Sequence, residues 1–139
     1  MIEGYKELAA AIIAAAAKDY TNAIISGRRK KINEGHEFFE SSYFQILAQD
    51  VTAETLLKKC RLVGLEVRRF EIRMLNAQGN DDAVKQLVHA LSDSALVFAR
   101  NHLRKNAAVL RGTRKVMAKE AKKRGLVKSN YDLSYYREV

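Results

Sequence analysis

Apolar side chains recur along this chain at helical spacing, and the pattern predicts helices nearly from end to end. Between Tyr5 and about Lys31 the sequence is dominated by Ala, and Leu8, Ile12, Ala15, Asp19, Asn22 and Ile25 trace successive turns of one helix. Gly27 followed by Arg28, Arg29, Lys30 and Lys31 reads as the fraying end of that helix, because Gly is costly inside a helix and cations suit its C-terminus. Asn33 and Gly35 are expected to make the turn, with a short second helix over about Glu34 to Glu40. Ser41 or Ser42 can then cap a further turn or two through Tyr43, Phe44 and Leu47.

Thr52 followed by Glu54 makes a good helix start, and Leu56, Cys60, Val63, Val67, Phe70 and Met74 continue from it as one stripe. Leu65 to Met74 has the partial alternation of a strand, but the stripe passes unbroken through Gly64 and favours a helix. Gly79 and Asn80 divide this helix from the next, whose first turn holds Asp81 and Asp82. Val84, Leu87, Val88, Leu91, Ala95 and Phe98 then carry a periodic face onward, with Ser92 to Ser94 and Gly112 as candidate breaks before Gly125. The fold expected is an all-α bundle of about four to five helices with a long basic C-terminal helix. Residues 1–125 form its single domain and residues 126–139 a Tyr-rich tail.

Composition supports the helices. At a typical usage of about 5%, a chain of this length would carry roughly seven prolines; this one has none. The lone cysteine, Cys60, excludes an internal disulfide, and a reducing cytoplasm is the expected setting. The apolar run from Leu8 to Ala17 follows Glu3 and Glu7 and passes straight into Lys18 and Asp19. It is read as a core helix, too short for a membrane span and without the basic start of a signal peptide.

Charge changes the picture more. The chain holds 25 Lys and Arg against 16 Asp and Glu, a formal net charge of +9. Residues 100–128 alone contain eleven basic side chains and a single acidic one, Glu120. If that stretch is one helix, Arg100, Arg104, Arg111, Lys115 and Lys122 share an arc of about 60°, while Ala99, Leu103, Leu110 and Met117 share about 40° on another side. The resulting ridge, about 33 Å long, would neutralise phosphates and release counterions. The candidate nucleic-acid-binding residues are therefore Arg100, Arg104, Arg111, Arg114, Lys115, Lys119, Lys122 and Lys123, with Arg28, Arg29, Lys30 and Lys31 as a second patch. Arg68, Arg69 and Arg73 form a third, partly offset by Glu66 and Glu71. Tyr131, Tyr135 and Tyr136 could stack on unpaired bases or anchor the tail. A solvated helix face is the plain alternative, although mixed signs are its usual form.

Catalytic signatures are missing. His36-Glu37-Phe38-Phe39-Glu40 has the first half of a zinc-protease helix motif, but Glu40 stands where the second histidine is needed. Cys60 lies on the apolar stripe, as a buried hydrophobe would. No glycine-rich phosphate loop occurs. The expectation is a non-enzymatic protein with no metal and no cofactor. A helix-turn-helix around Ser41 to Arg61 would offer Lys58, Lys59 and Arg61 to phosphates, but Leu56 and Leu57 are poor base readers.

Residues 5–61 carry a resemblance. Ala11-Ile12, Ala17-Lys18-Asp19-Tyr20 with Ala23, Glu37-Phe38-Phe39 with Ser41 and Tyr43-Phe44, Leu47, and Glu54 with Leu56-Leu57-Lys58-Lys59-Cys60-Arg61 together resemble a small uncharacterised helical protein family of phages and prophages of Gram-positive bacteria. This chain has Tyr43 where that family usually has Trp, Ser42 where Asp is common, and Thr52-Ala53 in place of an Asp-Gly turn. The resemblance implies a phage accessory protein without catalytic residues or cofactor. The partner expected is DNA or RNA bound through the basic helical face; the alternative is an inhibitor or adaptor that presents the same face to an acidic surface of a host defence or nucleic-acid-processing complex. Membrane binding is not expected, since the terminal helix has few large apolar residues. A homodimer would be one way to complete a small helical core.

Overall fold

The structure, a computed structural model, describes residues 2–48, 51–104, 106 and 108–126. Among the described residues it is all-helical, with seven helices and no strand: α1 (Ile2–Ser26), α2 (Arg29–Phe39), α3 (Ser42–Leu47), α4 (Ala53–Ala77), α5 (Asp81–His89), α6 (Asp93–Leu103) and α7 (Arg111–Lys123). The chain divides into two compact units, the first running to Gly64 and the second beginning at Leu65, so α4 supplies one half to each. The expected tail, with Tyr131, Tyr135 and Tyr136, lies outside the described residues, as do Lys105 and Lys128.

In the first unit α1 packs on α2 and α3. Its buried side is small and apolar, with Ala9, Ile13, Ala14, Ala17, Ala23 and Ile25 around Tyr20. Residues 4–26 are, by length and composition, long and apolar enough to cross a membrane. The expectation from the ten residues Leu8 to Ala17 was of a shorter segment; the helix extends well past them, yet spends this face on protein core. α1 stops at Ser26 because Gly27 takes φ +69°. The amides of Gly27 and Arg28 turn back onto the carbonyls of Ile24 and Ala23, at 3.2 and 3.1 Å. That arrangement closes a helix C-terminus around a left-handed glycine.

The four basic residues after Gly27 therefore do not end α1. Arg28 is the N-cap of α2, and Arg29, Lys30 and Lys31 form its first turn. Asn33 and Gly35, expected in a turn, lie inside α2. Gly35 is there to admit Tyr20: a Cβ built on it would stand 2.5 Å from Tyr20 Cδ1. Phe39 and Phe44 are buried with rings edge to face and centroids 5.2 Å apart, and Phe38 packs edge-on against both. Ser41 accepts the Phe44 amide at 3.2 Å and starts α3.

α4 begins where expected, with Thr52 accepting the Thr55 amide at 3.2 Å. Leu56, Cys60, Val67, Phe70 and Met74 are all buried along one side of it. In the second unit Asn80 caps α5 and Ser92 caps α6, each accepting an amide three residues on at 3.2 Å. α6 is the most buried helix, with Ser94 to Ala99 inside, and α7 packs against both α5 and α6.

The long C-terminal helix is corrected to two shorter ones. α6 ends at Leu103, and the chain turns before α7 begins at Arg111. Asn106 makes the turn, its side-chain oxygen accepting the Ala108 amide at 3.0 Å. Gln78 holds the far side, donating to the Ala108 carbonyl at 3.0 Å and accepting from the Leu110 amide at 2.6 Å. The other candidate break, Gly112, sits inside the first turn of α7.

Candidate nucleic-acid interface

The basic residues predicted from sequence separate into distinct roles once the second unit folds. Leu103, Met117 and Ala99 are buried as the ridge geometry required, but Leu110 is 53% exposed, since it caps α7 instead of continuing a helix from α6. The face common to Arg100 through Lys122 therefore does not exist as one ridge of about 33 Å.

What α7 presents is shorter and denser. Its buried side is Thr113, Met117 and Ala121. Arg111, Lys115, Lys119, Lys122 and Lys123 are all exposed and cover an arc of about 120° away from that side, over about 18 Å of axis. Among the described residues, none of the five has a carboxylate within 4 Å. The first turn of α7 contains no acidic residue, and no side chain caps its amides. Cations there stand at the positive end of the helix dipole, where an anion is the favourable neighbour.

Glu120 does not offset this face, because it is used on another side of α7. Its Oε1 accepts from Arg124 Nε at 3.1 Å and lies 3.3 Å from His89 Nδ1. Hydrogen bonding from Arg124 holds the carboxyl below the usual range, with a further contribution from His89. Arg124 in turn reaches the C-terminus of α5, donating to the carbonyls of Leu91 at 2.6 Å and His89 at 2.9 Å, and to Asp93 Oδ1 at 3.1 Å. It is a structural clamp, satisfying carbonyls that a helix end leaves open.

Arg100 and Arg114 are half-buried and Arg104 is exposed. These three line a cleft of about 90 Å3 with Leu103 and Met117. Arg114 donates from one terminal nitrogen to the Asn106 carbonyl at 2.5 Å, while its Nε is buried without a hydrogen-bond partner among the described residues.

The second predicted patch belongs to the first unit. Arg28, Arg29, Lys30 and Lys31 are exposed at the start of α2, again with no side-chain cap and no acidic residue in the first turn. Arg28 and Lys31 border an open groove of about 450 Å3 between α1 and α2, with Asp19 and Glu34 also on its wall. Arg68, Arg69 and Arg73 are exposed on the second half of α4. The acids expected to offset them are committed elsewhere: Glu66 accepts from the Ser92 amide and hydroxyl at 2.7 and 2.8 Å, and Glu71 lies 3.7 Å from His102.

The remaining chemistry-bearing side chains are part of the packing. His36 Nε2 lies 3.0 Å from the Tyr20 hydroxyl. Burial pushes the Cys60 thiol up to about 11, against a smaller opposing hydrogen bond with Thr21. No group of three or more metal-ligating side chains occurs among the described residues. In the helix-turn-helix candidate α3 has only six residues, and Leu56 and Leu57 are buried, so neither leucine is presented to a ligand.

The fold and this site define a small helical protein with a concentrated cationic face. No protein-family model, curated protein or solved structure matches the chain.

Proposed function

We propose that the protein is a non-enzymatic accessory protein of the phage type, acting in the bacterial cytoplasm, which binds DNA or RNA through the exposed face of α7. The observation that carries this reading is the set Arg111, Lys115, Lys119, Lys122 and Lys123, five exposed cations on one helical face without a carboxylate within 4 Å among the described residues. Each is free to replace a counterion on a phosphate, so affinity would be insensitive to sequence and steeply dependent on salt. Arg100, Arg104 and Arg114 stand together in a separate cleft by the end of α6.

Fluorescence anisotropy with labelled duplex DNA, single-stranded DNA and RNA over a salt series tests this, using a variant with Arg111, Lys115, Lys119 and Lys122 changed to Glu. Binding that weakens with salt and disappears in the variant supports the reading. Absence of binding at low salt rejects it.

The second reading, a protein-binding inhibitor or adaptor, is favoured by one separate observation. On the α4 half within the second unit, Leu65, Ile72 and Leu75 are exposed beside Arg68, Arg69 and Arg73. An apolar stripe flanked by arginine suits an acidic amphipathic helix of a partner. Pull-down with the Ile72→Asp variant against the unaltered chain separates this surface from that of α7.

A further inference from the structure

We propose that Arg100, Arg104 and Arg114 form a seat for a single phosphate group, distinct from the diffuse field of the α7 lysines; the inference deepens the nucleic-acid reading and rests on it for the source of that phosphate. Three guanidinium-bearing side chains line one cleft of about 90 Å3, and the other lining residues, Leu103 and Met117, are almost fully buried. The cleft has room for a few waters, the scale of one tetrahedral oxyanion.

Three observations point to an anion. Among the described residues no carboxylate lies within 4 Å of any of the three arginines, although arginines sharing a partly buried cleft repel one another without a counter-charge. Arg114 is fixed in place through its bond to the Asn106 carbonyl, which pre-orients its guanidinium. Among the described residues its Nε is buried without a partner, an orphan donor beside the cleft that Arg114 lines. The apolar floor strengthens such a contact by excluding water. The turn at Asn106 is what builds the seat: it separates α6 from α7 and brings residues 100, 104 and 114 to one cleft.

The same chemistry would accept a phosphodiester of a nucleic-acid backbone, a terminal phosphate of a strand, or free inorganic phosphate. The test follows the arginine Nε–H correlations in 1H–15N spectra of the full chain during titration with inorganic phosphate at constant ionic strength, then with oligonucleotides bearing or lacking a 5′-phosphate. The expected result is a saturable shift of the Arg114 Nε–H with phosphate that chloride does not reproduce. Arg100→Gln and Arg104→Gln, which leave the Asn106 contact intact, are each expected to weaken it about tenfold. A larger Arg114 Nε–H shift with the 5′-phosphorylated strand would identify a strand end as the source, and equal shifts with both strands the backbone. No saturable phosphate response, or one unaltered in both variants, overturns the seat while leaving the α7 reading to its own salt series. A phosphate response without any strand binding supports the seat, assigns it to free phosphate, and rejects the nucleic-acid reading.

Discussion

Gly64 of α4 and Ile24 of α1 approach so closely that a Cβ built on the glycine would stand 2.5 Å from Ile24 Cγ2 and 3.5 Å from the Thr21 carbonyl oxygen. This contact accounts for a glycine in the middle of a 25-residue helix, where it costs about 1 kcal/mol relative to Ala. Gly64→Ala is expected to destabilise the first unit by about 1–3 kcal/mol, because the clash outweighs the propensity gain. Gly112→Ala, in a position open on all sides, should instead stabilise the second unit by about 0.4–1 kcal/mol. Urea unfolding followed by circular dichroism reads both.

Burial of Cys60 and Tyr20 predicts weakness in alkali. Desolvation raises both groups, the thiol to about 11, while in the unfolded chain a thiol titrates near 8.5. A raised folded value means that the unfolded state loses its proton first, so stability is complete below about pH 8.5 and falls as pH rises toward 11. The urea midpoint should drop over this interval, and less steeply in Cys60→Ala. At pH 8 the thiol should resist a disulfide reagent until denaturant is added.

Glu120 gives the opposite dependence at low pH. Its folded value is lowered by the Arg124 hydrogen bond, so its contribution is present above the unfolded value near 4.3 and is lost as pH falls through the lower folded one. Glu120→Gln should flatten that part of a stability profile measured between pH 5 and 2, figures set by the ordinary carboxylate range of about 4.

Arg124 and the α7 lysines should separate stability from binding. Arg124→Ala leaves the carbonyls of His89 and Leu91 without their donor, and is expected to cost about 2–3 kcal/mol. Lys119→Gln with Lys122→Gln should leave the melting temperature nearly unchanged while reducing the salt slope of oligonucleotide binding by about 2. A melting temperature that falls in the lysine pair, with the slope unchanged, would reverse these assignments.

The helices with local signals were legible in the sequence. The stripe from Leu56 to Met74 fixed α4, and the caps at Ser41, Thr52 and Asn80 marked three starts because each acts within three residues; Ser92, read only as part of a candidate break, caps α6 in the same way. The breaks that escaped depend on distant partners. Nothing around residues 104–110 except Asn106 breaks a helical pattern, and the turn is held by Gln78 about thirty positions earlier. Arg28 to Lys31 were assigned to the end of α1 because cations suit that end, whereas the fold starts α2 with them against the dipole. The charge count near the C-terminus drew attention to residues 100–128, but it could not separate Arg124, a clamp on α5, from the lysines left facing solvent.

The starts of α2 and α7 share one peculiarity, cationic first turns with neither an acidic residue nor a side-chain cap. Such helices are held together against their own end charge, so anions are expected to favour the folded chain over the unfolded one. Its thermal stability should then track the identity of the buffer salt: highest in sulfate or phosphate, lower in chloride of equal ionic strength, and raised again by a polyanion such as heparin. The solvent anion is then expected to act as a stabilising ligand, with chloride the weakest of the three.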